Sequence, residues 1–133
     1  MIPPFTDHGY LPPGIHPATL DEIDARFGQA NPVRRELMQS LRWLVEMIRR
    51  DDVQRLVVNG SFVTSEPEPA DVDGVALIGP TFGQHGITLH GWRTPLPFIH
   101  IELADAIIFQ EYVEYIFGTD ASLVPKGVIE VTP

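Results

Sequence analysis

Two aspartates two positions apart, Asp71 and Asp73, open an apolar run that continues to Ile78. In an extended chain side chains alternate between faces, so both carboxylates project from the same face. Side by side they repel, and one is driven toward its protonated form unless a cation neutralises both. A hard divalent ion such as Mg2+ (or Mn2+) meets that need, because it takes oxygen ligands and keeps positions open for substrate phosphates. An earlier apolar run, Leu56 to Asn59, ends in Gly60-Ser61, and nine residues, Phe62 to Ala70, separate that turn from the aspartate pair. A Gly-Ser turn offers backbone N–H groups and a hydroxyl to a phosphate, and the missing Cβ allows a close approach. The stretch thus holds both halves of a nucleotide site, a metal-holding pair and a phosphate-facing turn. Taken singly, Asp71-Val72-Asp73 also reads as a charged strand edge and Gly60-Ser61 as an ordinary turn.

Gly60-Ser61, nine residues, then Asp71-Val72-Asp73 resembles the signature of the polymerase β-like nucleotidyltransferase superfamily. That signature is a hydrophobic residue near Gly-Gly or Gly-Ser, roughly ten residues, Asp-hydrophobic-Asp or Glu, and a third carboxylate on a later strand. The short chain is similar to the minimal, single-domain members. Leu11-Pro12-Pro13-Gly14-Ile15-His16, Gly60-Ser61-Phe62-Val63-Thr64 and Pro125-Lys126-Gly127 also resemble a group of small bacterial proteins in that superfamily. One position departs, since Gly74 stands where the signature usually carries a hydrophobic residue. The resemblance implies a Mg2+-dependent enzyme that moves a nucleoside monophosphate from a nucleoside triphosphate to a hydroxyl of a protein, RNA or small molecule. It implies that Asp71 and Asp73 hold the metal, that Gly60 and Ser61 cradle the triphosphate, and that a third carboxylate comes from a neighbouring strand. Glu102 is the only acidic residue of the strand Phe98 to Leu103 and takes that role, helping to hold the metal and to deprotonate the attacking hydroxyl, with Asp105 in reserve. His100, on the same strand face as Glu102, is a candidate for the shell around the metal or for the core. A non-catalytic binding protein on the same fold, such as one member of a toxin-antitoxin pair, is the alternative. Small size, acidity and a Glu in place of the third Asp all allow it.

The elements that must position these residues follow from periodicity and punctuation. Thr19-Leu20-Asp21-Glu22 is a capping box that starts a short helix ending near Gly28. Asn31-Pro32 starts a second, about Pro32 to Arg50, with Leu37, Met38, Leu41, Leu44, Val45 and Ile48 on one apolar stripe. Strands are expected over Arg55 to Asn59, Asp71 to Ile78, Phe98 to Leu103 and Val128 to Val131, and a helix over Ala104 to Phe117. Residues 1–18 form a Pro-rich arm, and Ile87 to His90 a short edge strand. The expected fold class is α+β, a small mixed sheet with helices packed on one face.

At 133 residues, 44% hydrophobic, the chain makes one domain with one core. The net charge of −9 disfavours extended nucleic acid as a partner. That leaves a nucleoside triphosphate, with a protein partner or a second copy of the chain. No run is long enough for a membrane span, the N-terminus lacks signal-peptide features, and the absence of Cys fits a cytoplasmic protein. Seven of the nine basic residues, Arg26, Arg34, Arg35, Arg42, Arg49, Arg50 and Arg55, lie in one segment, which reads either as a solvated helix face or as a phosphate- or partner-binding face. Lys126, the only Lys, is a candidate counter-charge for phosphate. His16, Glu66, Glu68, His85 and His90 read as loop residues, the last two lacking the spacing of a zinc site.

Overall fold

A computed structural model describes residues 2–83 and 98–133. Strand β1 (Ile15–Thr19) leads directly into helix α1 (Leu20–Phe27), which begins at Thr19 because Thr19 and Glu22 satisfy each other's amides at 3.2 and 3.1 Å. Helix α2 (Pro32–Ile48) starts where the Asn31 side chain accepts from the Arg34 amide at 2.9 Å, with Pro32 in the first turn. Then come β2 (Val53–Asn59), a single 3-10 turn (Ser61–Val63), β3 (Val72–Ile78) and β4 (Ile99–Ala104). Helix α3 (Ala106–Glu111) runs on into a π-helical turn (Tyr112–Ile116), and β5 (Val128–Thr132) follows. The sheet order is β1-β5-β2-β3-β4. The β1–β5 and β3–β4 pairs are parallel, and β2 lies antiparallel to both β3 and β5.

The mixed sheet and three helices match the expected α+β class, but the helices cover both faces of the sheet, not one. On the first face, Leu37, Met38, Leu41, Leu44, Val45 and Ile48 of α2, with Ile23 and Phe27 of α1, pack on Leu56, Val58, Val72, Ala76 and Ile129. On the second, Phe109, Val113 and Phe117 pack on Val57, Val75, Ala104 and Val128. The cause is visible in β2: Leu56-Val57-Val58 is apolar at consecutive positions, and a strand buried on both faces reads that way. The arm differs as well. Its last residues form β1, an edge strand in which Pro17 is tolerated because an edge leaves one N–H side unpaired. Leu11 is fully buried. The expected strand over Ile87 to His90, and His85 with it, lie outside the described residues.

The Arg-rich segment holds the fold to itself. The Arg26 guanidinium donates to the Pro3 carbonyl at 3.0 Å and lies 4.5 Å from the Phe5 ring centre, fastening the arm. Arg42 pairs with Asp21 and Asp24, Arg35 donates to the Gln29 carbonyl, and Arg55 grips both oxygens of Glu130 at 2.6 and 3.0 Å. Arg34, 5% exposed, is the most deeply committed. It donates to the carbonyls of Phe27, Phe62, Thr64 and Glu66, tying α1 and α2 to the loop that follows Gly60-Ser61. Burial lowers its pKa and the nearby Glu66 carboxylate opposes that shift. A guanidinium stays charged regardless, so those carbonyl dipoles replace its water.

Removing the Arg34 guanidinium would strand several of these carbonyls, each costing about 1–3 kcal/mol if left dry. Arg34→Met is expected to lower unfolding stability by about 3 kcal/mol or more in urea titration. Arg34→Lys should recover less than half of the loss, because one ammonium cannot reproduce the guanidinium fork.

Candidate functional site

The ends of β2 and the starts of β3 and β4 meet at one end of the sheet. The antiparallel β2–β3 register sets Asn59 opposite Asp73, and the parallel β3–β4 register sets His100 on the other side of Asp73. Residues opposed across paired strands project from the same face. This is the face on which Val57 and Val75 meet α3 further along. The start of β4 is fixed by a bond from the Val72 amide to the Phe98 carbonyl at 2.7 Å, with Phe98 in the left-handed region at φ 68°.

Asp71 lies one residue before β3. His100 Nδ1 is 3.4 Å from Asp71 Oδ2 and 3.6 Å from Asp73 Oδ1. One ligand atom from each of Asp71, Asp73 and His100 lies within 4.8 Å of those of the other two. Asp73 is held above the usual carboxylate range, first by burial, then by the negative charge of Asp71 and a hydrogen bond with it. The positive charge of Lys126 acts in the opposite direction, as does that of His100 when its ring is protonated.

Gly60 shapes the same spot. Its backbone sits at φ 86°, and a Cβ built there would fall 2.5 Å from Asp73 Oδ2 and 3.1 Å from its Cγ. The glycine therefore makes room for the Asp73 carboxylate as well as turning the chain. Ser61 begins the 3-10 turn, its carbonyl accepting from the Thr64 amide and hydroxyl at 3.2 and 2.7 Å. Asn59 is 5% exposed, and its Oδ1 has no hydrogen-bond partner among the described residues.

The sequence-predicted residues distribute unevenly around this centre. Asp71, Asp73 and Gly60 come together, and the charge of Lys126 is felt at Asp73. Glu102 is exposed, in register with Val75, two residues beyond His100 and about 7 Å further along the strand. It stands outside the group formed by Asp71, Asp73 and His100. Asp105 accepts from the Ile108 amide at 3.0 Å as the cap of α3. Glu66 and Glu68 are exposed loop residues, and His16 Nε2 lies 2.6 Å from the Pro12 carbonyl. Asn59 is the residue that sequence reasoning missed. A polar residue closing an apolar run, directly before Gly-Ser, was the available signal. Two carboxylates and an imidazole nitrogen within 4.8 Å of one another suit a divalent cation.

Two outcomes follow for the metal-free protein. Gly60→Ala forces a Cβ against Asp73 and a side chain into left-handed backbone, costing about 1–3 kcal/mol, which urea unfolding would register. It should also weaken Mg2+ or Mn2+ binding measured by calorimetry, since the carboxylate must move. For Asp73 the sign is fixed by its raised pKa: the folded state binds the proton more tightly than the unfolded state. Stability is therefore lost as pH rises from the unfolded value through the folded one. Asp73→Asn should melt above the wild type at pH 7 without metal, and the gain should vanish below the ordinary carboxylate value of about 3.9.

No curated protein matches the chain, and no solved structure does. No helix among the described residues is long and apolar enough to cross a membrane. A family model described as a family of unknown function, DUF6932, matches residues 3–132, nearly the whole length. By that match the chain belongs to the DUF6932 family.

Proposed function

We propose that the protein is a divalent-metal-dependent nucleotidyltransferase of the polymerase β-like kind. The observation that carries the reading is the convergence of Asp71 and Asp73 with His100, beside a left-handed Gly60 that packs on Asp73. Like charges crowded at the end of three strands, with one carboxyl held above its usual range, are the form a cation-binding centre takes before the cation arrives.

In this reading Asp71 and Asp73 hold the ion. The backbone at Gly60 and Ser61 takes the triphosphate, where no Cβ intervenes. Lys126 adds positive charge for the phosphates. Glu102, exposed further along β4, receives the proton of the attacking hydroxyl. The new bond forms between that hydroxyl oxygen and the α-phosphorus, and the bond to the departing pyrophosphate breaks. The metal supplies charge neutralisation on the attacking and leaving oxygens.

A second reading has its own observations. Glu102 stands outside the carboxylate–imidazole group. Ile107, Tyr115 and Ile116, on α3 and the π turn, are each more than half exposed. Both features suit a non-catalytic binding protein on this architecture, one component of a pair such as toxin and antitoxin.

Incubation with each α-labelled nucleoside triphosphate, Mg2+ or Mn2+ and a cell lysate separates the two. Transfer of label to protein, RNA or a small molecule is expected, reduced at least about 100-fold in Asp71→Asn with Asp73→Asn. Glu102→Gln should leave nucleotide affinity within a few-fold and suppress transfer. Absence of labelling from every nucleotide, with the ion bound, would favour the binding protein.

A further inference from the structure

We propose that His100 is the third ligand of the ion at Asp71 and Asp73, and that this nitrogen makes the site one for a transition-metal ion such as Mn2+ in preference to Mg2+. The inference rests on the reading that the aspartate pair holds a cation, but not on nucleotide transfer.

Three observations carry it. First, an ion about 2.1 Å from each ligand separates neighbouring ligands by about 3.0 Å in octahedral and 3.4 Å in tetrahedral geometry. His100 Nδ1 stands 3.4 Å from Asp71 Oδ2 and 3.6 Å from Asp73 Oδ1, within a few tenths of an ångström of those separations, and one oxygen of each carboxylate lies within 4.8 Å of the other. Second, the position is set by the strands. His100 is the parallel-register partner of Asp73, and the Val72–Phe98 bond fixes that register. Glu102, the carboxylate alternative, alternates to the same face but about 7 Å further on. Third, Asn59, the antiparallel partner of Asp73, is 5% exposed and its Oδ1 has no hydrogen-bond partner among the described residues. Buried polar atoms are normally bonded. An open acceptor on the residue that faces Asp73 across the β2–β3 pair suits a donor from the hydration shell of a bound ion.

The donor set decides the ion. Mg2+ favours all-oxygen octahedral sites and gives up its water reluctantly. Imidazole nitrogen suits the first-row transition ions, whose affinity for a mixed nitrogen and oxygen site rises from Mn2+, the weakest of them, through Fe2+ and Co2+ to Ni2+ and Cu2+. The side chain of His100 is 75% exposed, leaving the remaining positions open to water or phosphate oxygens.

The full chain should be loaded with Mn2+ and studied by pulsed electron paramagnetic resonance, which detects a directly bound nitrogen by its coupling. The wild type is expected to show that coupling, and His100→Ala to lose it along with about tenfold or more in Mn2+ affinity. His100→Asp, which restores an all-oxygen set, should lose the coupling and shift the Mn2+ to Mg2+ affinity ratio at least about fivefold toward Mg2+. Thermal melts with each ion keep the test readable, because a variant that folds but no longer binds shows an unchanged Tm on adding metal. Bound Mn2+ without nitrogen coupling, or an affinity unmoved in His100→Ala, would overturn the proposal while leaving the transferase reading intact. Nitrogen-coupled Mn2+ without nucleotide transfer would uphold the ligand assignment and remove the transferase. No binding of either ion would end both.

Discussion

The contact between Gly60 and Asp73 is the constraint around which this end of the molecule is built. Strand β2 must turn away immediately after Asn59, and Asp73, one step across the sheet, projects into the space where a side chain at position 60 would lie. Only a residue without Cβ, free to take φ 86°, satisfies both demands. The loop that leaves this turn is not free to relax. Arg34 holds the carbonyls of Phe62, Thr64 and Glu66 from the helical layer behind it. Helix α2 is thus tied to the loop after Gly60-Ser61 by the Arg34 guanidinium, by the Asn31 bond to the Pro67 carbonyl and by the packing of Phe62 and Val63 in the same core.

The two faces of the sheet do different work. The α1–α2 face holds the larger apolar cluster. On the other face, α3 and its π turn cover a smaller cluster formed with Val57, Val75, Leu77, Ala104 and Val128. Asn59, Asp73 and His100 come from the same strand face, toward the strand ends. Burial from one side and like charge from the other raise the proton affinity of Asp73. A less buried pair would be better solvated and need a cation less.

Much of this was legible in the sequence because it was encoded locally. The Thr19–Glu22 cap, the Asn31-Pro32 start, the α2 stripe and the aspartate pair each depend on residues within a few positions of one another. The strand β1 was not legible, because Ile15 to Thr19 contains Pro17 and pairs with residues more than a hundred positions away. Nor was the second covered face, although the consecutive apolar residues Leu56-Val57-Val58 signalled it. The Arg-rich segment was ambiguous in sequence because its partners are backbone carbonyls and distant acids, which composition does not display.

The site shows the same division. Alternation puts His100 and Glu102 on one face of β4 but does not say which of them stands beside Asp73. That depends on register, and the register is set by the pairing of Val72 with Ile99 and by the left-handed turn at Phe98 just before it. Shifting β4 by two residues would bring Glu102 to Asp73 and move His100 past the start of the strand, with every other side chain kept on its face. A two-residue slip is thus nearly silent in the hydrophobic pattern, where Ile99, Ile101 and Leu103 are interchangeable, and decisive at the site. The chemistry of this centre, a nitrogen or a third carboxylate beside the aspartate pair, is fixed by strand register rather than by the composition of β4.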